Sequence, residues 1–362
     1  MLSDLDESLL HQASVPFRMA GVTDHRYFDR MWYQVLDPSG QLALIGGLAL
    51  YKNMNQSDGF VCIQKDNLQH NLRVARFLGD DLSTSNGPLS VDVIEPFRRI
   101  RLKLDENEHG MAADLEWTSK FPPYAEGYHR TMAGSRVSTE STRYDQVGEW
   151  TGTIDVDGQH YEVRRWWGAR DHSWGVRPGV GGFEPAGSVR ESLLFLWACF
   201  STDEYVCQFQ LHEDQEGNRQ YFDGQLDYPL DDGRASLRAV DVEHEISFVA
   251  GTRQFDHLSY RLTMDNGEVL VIEAEPLYRG WAYHGTGYDG GYLDALGLGA
   301  ARGEVLEHDV YDLTHVEKVL LNGAPHPSGH RETPCGVTVN GQPAIGHMPV
   351  MPFGKIDKYN LG

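Results

Sequence analysis

Asn266-Gly267 stands between two alternating runs, with Tyr260, Leu262 and Met264 before it and Val269, Val271 and Glu273 after it. Alternation puts the named side chains of each run on one face of that extended run, and Asn-Gly favours the positive φ angles of a two-residue turn. Residues 259–273 therefore read as an antiparallel hairpin. Asp157-Gly158 marks a second hairpin within residues 152–163, and turn signals recur at Asp37-Pro38-Ser39-Gly40, Glu216-Gly217-Asn218, Asp231-Asp232-Gly233 and Asn340-Gly341. Helical spacing is sparse, at residues 4–12, 23–33 and 312–321. Strands do not alternate with long helices, which disfavours a doubly wound nucleotide-binding sheet. The predicted fold is all-β, two antiparallel barrels or sandwiches in tandem with a few short helices.

A chain of 362 residues is long for one hydrophobic core and comfortable for two. The Gly/Pro-rich run 178–187 is the best linker, so the expected domains are 1–180 and 181–362. A formal charge of −22 argues against nucleic acid and anionic membrane as partners, because phosphate binding needs concentrated Lys and Arg. The longest apolar run, 193–200, is too short to cross a bilayer as a helix, and Asp4, Asp6 and Glu7 stand where a secretory signal carries basic residues. Cys62, Cys199, Cys207 and Cys335 lack CxxC spacing and read as reduced thiols of a cytoplasmic protein.

Chemistry concentrates in Arg165-Trp166-Trp167-Gly168-Ala169-Arg170-Asp171-His172-Ser173-Trp174-Gly175-Val176-Arg177. In an extended segment Arg170, His172 and Trp174 share one side while Asp171 and Ser173 share the other. His172 suits general acid/base work near neutral pH, with Asp171 or a carboxylate from elsewhere setting its tautomer. A satisfied histidine fixing the junction of the domains fits the same residue. Trp174 belongs to a pocket wall because it shares the face of His172, and Trp166 and Trp167 divide between core and substrate contact. Arg170 suits a substrate carboxylate, phenolate or phosphate, or an ion pair with Asp171, Glu184 or Glu191; Glu191 is also a candidate substrate contact.

A second cluster, residues 278–292, offers Tyr283, His284 and Tyr288 as hydrogen-bonding substrate contacts or as an aromatic turn over a barrel end. Gly285, Gly287 and Gly290 spell GxGxxG, but without the strand leading in and the helix opening that a dinucleotide site requires. His326 with His330, and His308 with His315, lack metal-ligand spacing, and neither a GxSxG elbow nor a P-loop occurs. No metal and no cofactor are expected.

The run Gly168-Ala169-Arg170-Asp171-His172-Ser173-Trp174-Gly175 resembles the Asp-His-(Asn/Ser)-Trp-Gly signature of the carotenoid hydratase (hydroxyneurosporene synthase, CrtC) and AttH-like superfamily. Thr151-Gly152-Thr153-Ile154-Asp155-Val156-Asp157-Gly158 resembles the hairpin leading into it, while the C-terminal half matches in β character and position alone. The resemblance implies two tandem lipocalin-like β-barrels, the signature near their junction, and a hydrophobic ligand held in or between them. It also implies chemistry without redox cofactors, such as hydration of an isolated double bond or cyclisation. His172 and Trp174 match the signature residues tied to activity. The downstream Tyr/Asp pair of the hydratases has only Asp203 and Tyr205 here, in reverse order.

The expected function is a cofactor-independent lyase, hydratase or isomerase working by acid/base chemistry on a hydrophobic terpenoid, polyketide or phenylpropanoid-type aromatic. The alternative is a non-catalytic carrier of such a molecule, and a homo-oligomer is compatible with either.

Overall fold

A computed structural model describes residues 4–7, 9–181 and 192–362 of the chain. The expected all-β, antiparallel architecture is present, and helix among these residues is confined to five short 3₁₀ turns. The first twelve strands are β1 (Tyr27–Leu36), β2 (Leu42–Tyr51), β3 (Gln56–Lys65), β4 (Leu68–Phe77), β5 (Ser85–Asn86), β6 (Leu89–Glu95), β7 (Arg99–Leu104), β8 (Ala112–Ser119), β9 (Tyr124–Ala125), β10 (His129–Ala133), β11 (Arg136–Val156) and β12 (Gln159–Val176). The second twelve are β13 (Leu193–Ser201), β14 (Val206–Glu213), β15 (Arg219–Asp227), β16 (Leu237–Phe248), β17 (Phe255–Met264), β18 (Val269–Pro276), β19 (Val305–Asp312), β20 (Val319–Leu321), β21 (Ala324–His326), β22 (Pro334–Val339), β23 (Gln342–His347) and β24 (Val350–Phe353). The turns at Asp157-Gly158 and Asn266-Gly267 join β11 to β12 and β17 to β18, as their dipeptides predict.

The first sheet runs β21-β20-β19-β4-β3-β2-β1-β12-β11-β8-β7-β6-β5, with β9 and β10 beside β11. It curls over itself. A Cβ at Gly46 of β2 would lie 3.0 Å from Leu102 of β7, one at Gly59 of β3 would lie 2.8 Å from Leu89 of β6, and Asn86 Nδ2 donates to Ser57 O at 3.1 Å. Glycine at these two positions makes room for the leucines that fill the barrel. Around them lie Tyr33, Leu44, Trp117 and Trp150, each buried apolar side chain contributing roughly 1.5–3 kcal/mol. The second sheet closes fully: β14-β15-β16-β17-β18-β22-β23-β13 returns to β14, and β24 lies along the N-terminal half of β13. Its core includes Leu196, Phe209, Tyr260, Ile272 and Val337. A third apolar cluster, with Trp32, Phe60, Trp167, Trp197 and Trp281, joins the two barrels.

Because the second barrel covers the outer face of the first, β2 is buried at nine of its ten positions. Two-sided burial also accounts for the main departure from expectation: the helix expected at residues 23–33 is the strand β1. Of the helix expected at 4–12, the described residues form only the turn Asp4–Glu7, and residues 312–321 are the end of β19, a turn and β20. Sheet membership departs from a simple division at residue 180, since β19–β21 return to the first sheet through β4. Most of the linker 178–187 lies outside the described residues. All four cysteines are buried free thiols, and no helix among the described residues is long and apolar enough to cross a membrane.

Candidate active site at the open end of the first barrel

β12 lies between β1 and β11, so its side chains stand in rows of three. Tyr33–Arg170–Gln146, Met31–His172–Tyr144 and Asp29–Trp174–Thr142 line the inner face; Trp32–Asp171–Asp145 and Arg30–Ser173–Arg143 line the outer one. A bulge at Arg165, which has φ +56° and no partner between Thr151 and Trp150, sets this phase. Below the rows, Gly168 and Gly148 leave the space that the Trp150 and Trp117 rings occupy. Above them, Gly175 has φ +136° and a Cβ there would lie 2.2 Å from Glu140 O, so β11 and β12 can pair at this point only through a glycine.

His172 is the hub of the inner face. Its Nε2 lies 2.8 Å from Asp29 Oδ1 and its Nδ1 3.2 Å from the Tyr144 hydroxyl. An ionised Asp29 accepts from Nε2–H, which leaves Nδ1 to accept the proton of Tyr144. The imidazole stands edge-on to Trp174 at 5.3 Å and to Tyr144 at 5.4 Å between ring centres. The side chains of His172 and Asp29 are 21% and 37% exposed, so the pair is open to solvent and to ligand. Burial raises the Tyr144 phenol above its ordinary value, and the nearby Arg170 guanidinium opposes that shift.

Arg170 forms the floor. It is buried, donates to Gln146 Oε1 from Nε at 3.2 Å and Nη2 at 2.8 Å, and stacks 5.0 Å from the rings of both Trp117 and Tyr144. Gln146 in turn donates to the carbonyls of Phe97 at 2.9 Å and Phe121 at 2.8 Å. Phe97, on the turn between β6 and β7, packs 5.4 Å from Tyr144 and is half-exposed. Its φ of +60° is one that bulky residues seldom adopt, and such strain collects at functional sites.

Several expected site residues stand elsewhere. Asp171 does not orient His172: it projects from the opposite face, where Arg143 Nε lies 3.3 Å from its Oδ2. Trp167 is also on that face, 5% exposed in the core between the barrels, and donates to Ser201 Oγ at 3.0 Å. Arg170 pairs with Gln146 and aromatic rings instead of a carboxylate; Glu184 and Glu191 lie outside the described residues. Tyr283, His284 and Tyr288 sit on the turns Tyr283–Thr286 and Tyr288–Gly290, against the outer face of the first barrel and not at a barrel mouth. Tyr283 donates to Glu332, His284 Nε2 to the Asp289 carbonyl at 2.6 Å, and Tyr288 accepts from Arg177 Nη2 at 2.7 Å. A Cβ at Gly285 would lie 2.1 Å from Asn71 Oδ1, so packing against β4 explains this glycine without a phosphate. Asp203 is fully exposed, 3.8 Å from Lys120 Nζ. Of the paired histidines, His330 has its Nδ1 3.0 Å from the Gly280 carbonyl oxygen and its Nε2 3.0 Å from that of His315, and its N–H donates to one of them.

Sequence reasoning missed Asp29, Tyr144 and Phe97, which come from three other segments. Two surface hollows, of about 470 Å³ beside Lys65 and Tyr278 and about 300 Å³ beside Lys120 and Arg165, contain neither His172 nor Tyr288.

Residues 2–326 match the model of a family described as a family of unknown function, DUF8625. No curated protein matches the sequence significantly. Among solved structures, a Nitrosomonas europaea protein provisionally named AttH matches with a TM-score of 0.54 and 14% identity, over 91% of this chain and 93% of that one. The crystal structure of CghA matches with a TM-score of 0.49 and 10% identity, over 92% of this chain and 89% of that one. The likeness to the Nitrosomonas protein is one of fold.

Proposed function

As the chain belongs to the DUF8625 family, whose activity its membership does not specify, we propose from its site that it is a cofactor-independent lyase, hydratase or isomerase acting on a hydrophobic terpenoid, polyketide or phenylpropanoid-type molecule. The observation that carries this reading is the relay Asp29–His172–Tyr144, opening beside Trp174. Tyr144 takes a proton from a substrate carbon or hydroxyl as its own proton passes to His172 Nδ1, and Asp29 stabilises the imidazolium that results. In the reverse direction the same groups protonate an alkene or a leaving oxygen. Arg170 favours the transient phenolate, and Trp174 and Phe97 hold the apolar part of the substrate away from water. Proton transfer of this kind supplies about 10²–10⁴-fold, and orientation within the barrel the remainder.

The test is mass spectrometry on wild-type and His172→Ala protein incubated with terpenoid, polyketide and lignin-type aromatic compounds. Gain or loss of water or formaldehyde, or a new isomer, with wild type alone supports the enzyme. Ligand retained unchanged by both proteins favours the carrier, and equal turnover by both removes His172 from the chemistry.

A further inference from the structure

The outer face of β12 carries a second, separate constellation. Tyr288 lies over it with three guanidinium centres around its ring: Arg30 at 5.0 Å, Arg177 at 5.3 Å and Arg331 at 5.7 Å. Like charges so close repel and lose hydration when buried, and the chain has a net charge of −22, so their convergence opposes the general electrostatics of the molecule.

Among the described residues, counter-charge at this point is thin. Arg30 is 3% exposed, its nearest carboxylate is Asp58 at 3.8 Å, and its Nη2 has no hydrogen-bond partner. Among the described residues Arg331 has one carboxylate in reach, the exposed Asp289 at 3.9 Å, and its Nε donates to Met351 Sδ at 3.0 Å. Arg177 forms no ion pair among the described residues, and its Nε is buried without a partner. Burial would raise the Tyr288 phenol, yet the guanidinia of Arg177, Arg30 and Arg331 outweigh it and hold the phenol below its ordinary value. The arginines are also pre-set. Arg30 stacks on Phe60 at 5.3 Å and donates from Nη1 to the Tyr51 hydroxyl at 3.3 Å, while Arg177 stacks on Phe28 at 4.6 Å and donates from Nη2 to Tyr288, so each guanidinium is held in place with one nitrogen, Arg30 Nη2 and Arg177 Nε, left to donate to a carboxylate. Tyr283, 5.4 Å from Tyr288, adds a flat apolar neighbour.

We propose that this junction between the barrels binds a small aromatic carboxylate, its oxygens held by Arg30, Arg177 and Arg331 and its ring against Tyr288 and Tyr283. The site lies on the opposite face of β12 from His172 and does not rest on the acid/base reading of that residue.

The experiment is titration calorimetry of the full chain with sodium cinnamate and with cinnamyl alcohol, its neutral counterpart. Wild type binds cinnamate at least about tenfold more tightly than the alcohol. Arg331→Gln, at a partly exposed position, and Arg177→Gln each weaken cinnamate binding by about tenfold or more, while Arg331→Lys recovers part of the loss and His172→Ala binds as wild type does. Circular dichroism confirms that each variant is folded, and Arg331→Gln suffices if Arg177→Gln is not. Equal binding of acid and alcohol, no cinnamate binding at millimolar concentration, or wild-type affinity in a folded Arg331→Gln variant overturns the proposal. So does loss of cinnamate binding in His172→Ala alone, which puts the carboxylate inside the first barrel.

Discussion

Nε2 of His172 lies 2.8 Å from Oδ1 of Asp29, a residue 143 positions earlier in the chain. The β1–β12 register sets Asp29 opposite Trp174 and Met31 opposite His172, so Asp29 reaches the imidazole along the diagonal of one sheet face. Asp171 is adjacent in sequence but separated from the imidazole by the thickness of the sheet.

The contact fixes a tautomer. With Asp29 accepting from Nε2–H and Tyr144 donating to Nδ1, His172 is expected in the Nε2-protonated form. Nitrogen NMR on selectively labelled protein reads this directly, and Asp29→Asn relaxes the preference. A neutral His172 protonated at Nδ1 contradicts the relay.

Gly175 is constrained by backbone geometry and not by the ligand. Gly175→Ala combines φ +136° with a Cβ 2.2 Å from Glu140 O and is expected to destabilise by about 2–4 kcal/mol. Gly158→Ala, at φ +68° with nothing within 4 Å, costs about 1 kcal/mol. Urea midpoints compare the two, and similar losses show that the close approach to β11 carries no weight.

Burial, helped by the charges of His129 and Arg143, pushes His212 down to about 4. An unfolded histidine titrates near 6.5, so between those values the unfolded chain binds a proton that the folded chain does not. Its contribution is therefore present above about pH 6.5 and is lost as pH falls towards 4, by up to about 3 kcal/mol. His212→Phe is expected to flatten the fall in stability between pH 7 and 5, measured by denaturant unfolding; an unchanged slope refutes it.

The two tryptophans of the motif separate by role. Trp167 fills the space between the barrels, and Trp167→Ala is expected to lower stability by about 3–5 kcal/mol. Trp174 is partly exposed beside His172, and Trp174→Ala should lower turnover with a much smaller effect on the thermal midpoint. Equal destabilisation by both substitutions contradicts this division.

The hairpins at Asp157-Gly158 and Asn266-Gly267 were legible because turn chemistry is local. β1 was not, because Phe28, Trp32 and Leu36 face the core between the barrels or its margin while Tyr33 and Val35 face the interior of the first, and burial on both sides erases the alternation. Spacings within 23–33 then imitate a helix. Within the site, alternation alone correctly groups Arg170, His172 and Trp174 and already places Asp171 on the far side, against its expected role as orienter. Asp29 and Tyr144 could not be read in this way, because the register between β12 and strands distant in sequence is set by tertiary pairing. The Tyr288 cluster was visible as chemistry, but its arginines come from β1, the end of β12 and the approach to β22.

Turnover of the substrate by Asp29→Asn and Asp171→Asn, measured side by side with wild type, tests the central claim most directly. The relay predicts a loss of about 10²–10⁴-fold for Asp29→Asn and near-normal turnover for a folded Asp171→Asn. Full activity in Asp29→Asn, or the larger loss in Asp171→Asn, contradicts it.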